Sequence, residues 1–210
     1  MPEARVVGEG NPYVLLELLE EAVIENSDVI IESYCDFWCE LCGFLKKFGM
    51  LFGFATNDVL PKVNTLRSLY DSNNHAYRSI RSMAEYESTE EILYRETPKS
   101  GMMLLLSLHK AQVFLITLIE KIAESEDDVR MRDLAYGVYE ETLANHHSWT
   151  VKRVVKTAMY FLPKKEDFLK IMRGSMPASE DDAFHKKFNT NAEIMKHRIQ
   201  EIFAEYGVKV

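Results

Sequence analysis

The sequence predicts an all-α fold, a two-layer helical sandwich of about eight helices. Apolar residues recur at helical spacing along nearly the whole chain, and the gaps between such runs hold Asn, Ser, Asp, Gly or Pro. No segment alternates apolar and polar residues ahead of a hairpin turn. One stretch, residues 100–124, SGMMLLLSLHKAQVFLITLIEKIAE, is apolar on more than one side of almost every turn. A bilayer span takes roughly 20 apolar residues, but Ser107, His109, Lys110, Gln112 and Thr117 interrupt this one and Glu120 and Lys121 close it. It reads as a central helix buried among others, whose polar residues need partners or face a cavity. That makes it the expected wall of an internal site.

The elements follow in order. Asn11 before Pro12 is an N-cap with proline in the first helical position, and Val14, Leu15, Leu18, Leu19, Ala22 and Val23 predict a helix over residues 11–25. Ser27 and Asp28 are placed to cap a long second helix carrying Phe37, Trp38, Leu41, Phe44, Phe48, Phe52 and Phe54, with Gly49 and Gly53 letting a neighbour come close. ATND breaks the pattern, and a third helix opens near Asp58 with Pro61 in its first turn, where its missing N–H does no harm. DSNNH is a turn ahead of a helix holding Tyr77, Ile80, Met83 and Ala84, followed by an acidic segment that ends at Thr97 and Pro98. After the central helix, SEDD precedes a helix over residues 129–144, and NHHSWTVKRVVKTAMYFLP starts another that stops before Pro163. Residues 164–172 and 181–206 supply two more.

The 210 residues suffice for one sizeable core, and no stretch resembles a linker, so a single domain over residues 1–210 is expected, with residues 1–10 lacking fixed structure. A net charge of -8 argues against a broad grip on nucleic acid phosphates, so any phosphate or lipid contact must be local. MPEARVVGEG has no apolar run of signal-peptide length, which points to the cytosol. Three cysteines with no secretion signal suggest reduced thiols.

Cys35, Cys39 and Cys42 have the spacing that can hold three irons of a cluster, but on an apolar helix the same spacing is core packing, since free cysteine behaves as a small buried hydrophobe. Adjacent His146 and His147 point about 100° apart on a helix and do not form an i,i+4 metal pair. No nucleophile elbow or Gly-rich phosphate loop is present, so hydrolase and nucleotide-binding readings have no support. Neither a metal nor a cofactor is expected. Asp58 and Lys62, four apart, would by themselves read as an exposed ion pair worth about 0.3 to 0.5 kcal/mol.

Four segments in this order, LFGFATNDVLPKV, AYRSIRSM, SGMMLLLSLHKA and ETLANHHSWTVKRVVKTAMYFLPKKEDFL, resemble the glycolipid transfer protein superfamily, and more closely its ceramide-1-phosphate transfer branch. The likeness covers residues 29–172. It implies a two-layer helical sandwich that holds one sphingolipid, its chains between the layers and its headgroup at a surface patch. By the same resemblance Asp58 accepts from the amide N–H and hydroxyl of the ceramide part, His147 donates to the amide carbonyl, and Lys62 meets the headgroup. The inventory agrees: an ionised carboxylate only accepts, and an imidazole N–H can donate.

The central helix departs from the family pattern. Met103 and Ser107 stand where the phosphate branch carries two arginines, and Ser107 also replaces the stacking tryptophan of the sugar branch. Hydrogen bonds to charged groups contribute about 1.5 to 3 kcal/mol each, so losing two arginines lowers phosphate affinity roughly a hundredfold to ten-thousandfold. Ceramide recognition is therefore expected to survive with a changed or relaxed headgroup preference. Lys110 sits toward the far end of that face and is not expected to substitute. Trp149 matches a tryptophan the family uses at the membrane surface, with core packing as its alternative, and Lys152 and Arg153 are expected to meet anionic headgroups at about 1 kcal/mol each. Phe48, Phe52 and Val155 are the expected chain contacts. The expectation is a monomeric, non-enzymatic carrier that touches membranes transiently; the alternative is a sensor or helical interaction module that kept the fold without transfer.

Overall fold

The computed structural model of the chain describes residues 7–23, 27–49 and 53–210. Among these are nine α-helices: α1 (Pro12–Ala22), α2 (Ile31–Lys47), α3 (Gly53–Ser72), α4 (Ile80–Thr89), α5 (Gly101–Glu124), α6 (Met131–Thr142), α7 (Trp149–Met159), α8 (Lys165–Arg173) and α9 (Asp181–Glu205). Short 3-10 turns cover Ala144–His146 and Ala178–Glu180. No strand is found among the described residues, only isolated bridges pairing Ile30 with Ser79 and Glu96 with Lys99. The helices form the two-layer sandwich expected from the sequence. α5 lies at its centre, in contact with α3, α4, α6 and α9.

The central helix starts where the sequence places it, and a buried carboxylate holds it there. Ser100 caps it through Met103 N at 3.2 Å, while Glu87 of α4, wholly buried, accepts from Gly101 N at 2.6 Å, Met102 N at 3.0 Å and the Tyr77 hydroxyl at 3.2 Å. Negative charge suits a helix N-terminus, whose first N–H groups have no partner within the helix. Burial pushes the Glu87 carboxyl above its usual range, and the three donors work against that. A second buried glutamate, Glu40 of α2, accepts from the backbone N–H groups of Gly8 and Asn11. Residues 7–10 are thus held on α2, where no fixed structure was expected. Gly43 permits the approach, since a Cβ there would meet the Gly8 carbonyl oxygen at 2.6 Å.

Several boundaries differ from expectation. Asp28 does not cap α2; its carboxylate accepts from Val29 N and Arg81 N, at 2.8 and 3.1 Å. The start of α2 is satisfied instead by the neighbouring backbone, Ile31 N donating to Arg78 O at 3.1 Å. α2 stops at Lys47, and Gly49 takes a φ of 94° just beyond it. Gly49 therefore turns the chain rather than admitting a neighbour, and space beside Gly53 is likewise open. ATND lies inside α3, and Pro61 with it. The Asn57 carbonyl that Pro61 leaves unclaimed is on the exposed side, within reach of water, and Thr56 and Thr65 return their hydroxyls to carbonyls one turn back.

Cys35 and Cys42 are buried and free, and burial pushes each thiol up to about 12, which keeps both protonated and poor metal ligands. They pack the core, as the apolar spacing suggested. His109 of α5 is fully enclosed, edge-on to Phe203 of α9 at 5.4 Å. Burial pushes its imidazole down from 6.5 to about 4, against the opposing influence of the Gln112 side chain, and Lys196 and Lys110 add to the fall. Unfolded chains take up that proton near pH 6.5, so between there and pH 4 the unfolded state binds more protons and stability falls as the pH drops. By pH 4 this group alone removes about 3 kcal/mol that is fully present above its unfolded pKa. His109→Leu is expected to flatten the acid limb of the stability curve by about that amount, as read from urea midpoints at neutral and acid pH; an unchanged slope would contradict it.

Candidate functional site

The site forms where α3, α5, α6 and the start of α7 meet at one end of the sandwich. Asp58 and Lys62 lie on α3, one turn apart, with Lys62 Nζ 2.6 Å from the Asp58 carboxylate and 2.8 Å from its carbonyl oxygen. The Asp58 side chain is 70% exposed and that of Lys62 only 20%, so the carboxylate lies at the surface with its paired ammonium tucked beneath it.

His147 reaches this place through a local break in the helical path. The sequence reading put both histidines on a helix; instead residues 144–146 form a 3-10 turn, His147 is extended at φ -110° and ψ 142°, and Ser148 caps α7 through Val151 N. The imidazole then lies against α6, Nδ1 2.9 Å from the Tyr139 hydroxyl and the rings 5.6 Å apart. Burial holds the His147 pKa below its ordinary value, the Asp58 charge opposes this, and His146, Lys62 and Lys152 favour it. The ring is neutral at pH 7. Burial also raises the Tyr139 phenol, which keeps its proton. A phenol that donates to Nδ1 leaves the ring proton on Nε2, where it can be offered outward; the opposite tautomer would spend the ring proton on the phenol oxygen.

Three further groups stand around it. Lys110 of α5 brings its ammonium to 3.3 Å from His146 Nδ1, beside His147. Lys152 of α7 is near enough to act on the same ring. Met103 and Ser107 are half-buried on α5, and the Ser107 hydroxyl turns back to the Met103 carbonyl at 3.2 Å. Those two positions offer no charge. Asp58, Lys62, His147 and Lys152 are thus brought together; Tyr139 and His146 join them unforeseen, and Lys110, which the sequence placed toward the far end of its face, reaches the same place because its long side chain extends to His146. The sequence carried a weak signal for Lys110, three residues from Ser107 on a helix face, and none for Tyr139.

Trp149 is 70% exposed, which removes the reading of it as core, and Arg153 lies over its ring at 4.7 Å. Val151, Val154, Tyr160 and Phe161 extend this exposed apolar rim along α7 and just past it. Val155 points the other way, into a cluster with Leu118, Ile122 and Tyr139.

Two cavities follow one another along α5. An apolar space of about 10 Å³ lies among α2, α5 and α9, with Phe37, Trp38, Gln112 and Met195 in its wall. Beyond it, a space of about 360 Å³ opens among α1, α8, α9 and the end of α5, and Ile119 and Phe188 line both. Phe48 stacks at 4.7 Å on Phe168, which faces the larger cavity. Phe52 lies outside the described residues. From Ser107 to Ile122 the helix advances about 22 Å, and the larger space at that far end has apolar walls from Ile119, Ile122, Phe168 and Phe188 with Lys165, Arg173, Asp181 and Asp182 at its edge.

The model of the family described as glycolipid transfer protein matches residues 29–174. The ceramide-1-phosphate transfer protein of Danio rerio is 32% identical over 163 residues, 75% of this chain and 77% of that protein. The chain belongs to the glycolipid transfer protein family. Solved members share its shape: the apo form of mouse ceramide-1-phosphate transfer protein matches with a TM-score of 0.87 at 28% identity, over 95% of this chain and 98% of that one. The human ceramide-1-phosphate transfer protein in complex with 12:0 ceramide-1-phosphate matches at 0.84 with 27% identity, over 94% and 96%.

Within this family member the Tyr139 hydrogen bond is what sets the direction of the His147 donor. Nitrogen-15 spectra at neutral pH are expected to show His147 in the Nε2–H tautomer, and Tyr139→Phe is expected to give a mixture of tautomers. A pure Nδ1–H signal in the unsubstituted protein would contradict the assignment.

Proposed function

We propose that this chain binds one sphingolipid through its ceramide linkage and carries it between membranes, with ceramide-1-phosphate or a lipid of related headgroup as its cargo. The observation that carries the reading is an exposed carboxylate, Asp58, paired with Lys62 and near enough to act on the His147 imidazole, whose Nδ1 is taken by Tyr139. An amide presents one donor and one acceptor, and a carboxylate beside an imidazole N–H answers both. The likeness to the human protein that binds 12:0 ceramide-1-phosphate supports the choice of ligand.

For the headgroup, Lys62, Lys110 and Lys152 supply positive charge where Met103 and Ser107 supply none. Ammonium groups act as point charges and tolerate varied geometry, unlike a bidentate arginine pair. This favours a phosphate-tolerant mouth of relaxed selectivity. The role asks for no bond to be made or broken: an apolar sleeve lowers the cost of drawing a lipid from the bilayer, at about 0.8 kcal/mol per buried CH₂. Trp149 with Lys152 and Arg153 supports a transient touch on an anionic membrane; a monomer working from the cytosolic side completes the proposal.

Asp58→Val is expected to lower ceramide-1-phosphate transfer between vesicles about a hundredfold, through loss of two charge-assisted hydrogen bonds. Unchanged transfer would refute the site, and no movement of any sphingolipid by the unsubstituted protein would favour a sensor on the same fold. Restoring arginine, Met103→Arg or Ser107→Arg, is expected to tighten ceramide-1-phosphate binding about tenfold or more per substitution, measured against the uncharged parent ceramide.

A further inference from the structure

Lys110 of α5 is a cation whose partner is not an acid. Its Nζ lies 3.3 Å from Nδ1 of His146, whereas Lys62 meets Asp58, Arg67 meets Asp36, Lys165 meets Asp127 and Arg173 meets Asp181. Among the described residues no carboxylate pairs with Lys110. An ammonium only donates, so this contact makes Nδ1 the acceptor and puts the His146 ring proton on Nε2. Burial and the Lys110 charge hold the His146 pKa below its ordinary value, so the ring is neutral at pH 7.

The pair continues the face on which the uncharged positions lie. Met103, Ser107 and Lys110 are spaced i, i+4 and i+7 along one side of α5, with Lys110 about 4.5 Å beyond Ser107. His146 comes to it exposed, from the 3-10 turn Ala144–His146, immediately before the ring on which Asp58, Lys62 and Lys152 act. We propose that Lys110 and His146 form a subsite for the phosphate of a phosphomonoester headgroup, with Lys110 as a point charge and His146 Nε2–H as a donor of fixed direction, standing in for the arginine pair that Met103 and Ser107 do not supply. The inference rests on the sphingolipid reading given above and deepens it by naming what tells one headgroup from another. A phosphomonoester carries about 1.5 to 2 negative charges at pH 7 and three terminal oxygens. Such a charge beside the ring favours the imidazolium, which donates from both nitrogens and releases the Lys110 ammonium to the phosphate. A singly charged phosphodiester draws that proton less. Because the bound ring keeps its proton to a higher pH than the free ring, the contribution of His146 to affinity grows as the pH falls from about 8 to about 6.

The experiment measures binding of ceramide-1-phosphate, its methyl phosphodiester and the parent ceramide, each offered in phosphatidylcholine vesicles, to the unsubstituted protein, His146→Ala and His146→Gln. Proteins are compared at the same pH, so the titration of the phosphate itself cancels. His146→Ala is expected to weaken ceramide-1-phosphate binding about tenfold near pH 6 and about threefold near pH 8. Its effect on the methyl diester is expected to be smaller and independent of pH, and parent ceramide is expected to bind unchanged. His146→Gln keeps a donor and takes up no proton, so it is expected to recover part of the affinity without the pH dependence. In nitrogen-15 spectra the His146 ring of the unsubstituted protein is expected to titrate at higher pH with ceramide-1-phosphate bound than without lipid. Equal ceramide-1-phosphate affinities of the unsubstituted protein and His146→Ala overturn the subsite and leave the sphingolipid reading intact, as does an equal loss for the parent ceramide or a ring titration that the lipid does not move. Binding of none of the three lipids by the unsubstituted protein overturns both readings.

Discussion

The structure depends on enclosing one helix. α5 carries apolar side chains around so much of its circumference that it is stable only when other helices surround it, and α3, α4, α6 and α9 do so. Enclosure alone would leave its register free to slide. The Glu87 carboxylate removes that freedom, because two backbone N–H groups at the first turn have a single buried acceptor between them. With that end fixed, the depth of every residue along α5 is set by the helical rise, including the uncharged Met103 and Ser107, the Lys110 ammonium and the Gln112 amide.

The mouth works by a division of labour between charge and neutrality. Asp58 stays exposed with Lys62 against it, while His147 is partly withdrawn from water and rests neutral on a phenol. A cationic imidazole at this place would carry protons on both nitrogens and lose the distinction between its inner and outer faces. The nearby lysines favour the neutral ring, and in the function proposed above they would also present positive potential to an anionic headgroup.

Much of the fold was legible because helical periodicity and punctuation agree along most of the chain. Asn11 with Pro12 and Ser100 before the apolar run mark starts that the structure reproduces within a residue. Pro61 is tolerated well inside α3 because the carbonyl it leaves unclaimed is on the exposed side, and Asp28 leaves α2 uncapped because the backbone of Arg78 accepts from Ile31 N instead. In the site, Asp58, Lys62 and His147 were legible only through family likeness, since an i,i+4 pair and a histidine before serine carry little information by themselves. Tyr139 was not legible at all, because its meeting with His147 depends on a 3-10 turn that periodicity does not announce.

The chain carries a net charge of -8, yet Lys62, Lys110, Lys152, Arg153 and Lys156 gather around one end. Such a molecule behaves as a permanent electric dipole in the field of an anionic leaflet. The field exerts a torque on it before any side chain touches lipid, and its acidic remainder is pushed outward. In the carrier role proposed above, collisions would thereby be sorted by orientation, and a larger share of encounters would arrive with Trp149 leading. Raising the ionic strength blunts the alignment over distances beyond a Debye length while leaving the contact chemistry in place.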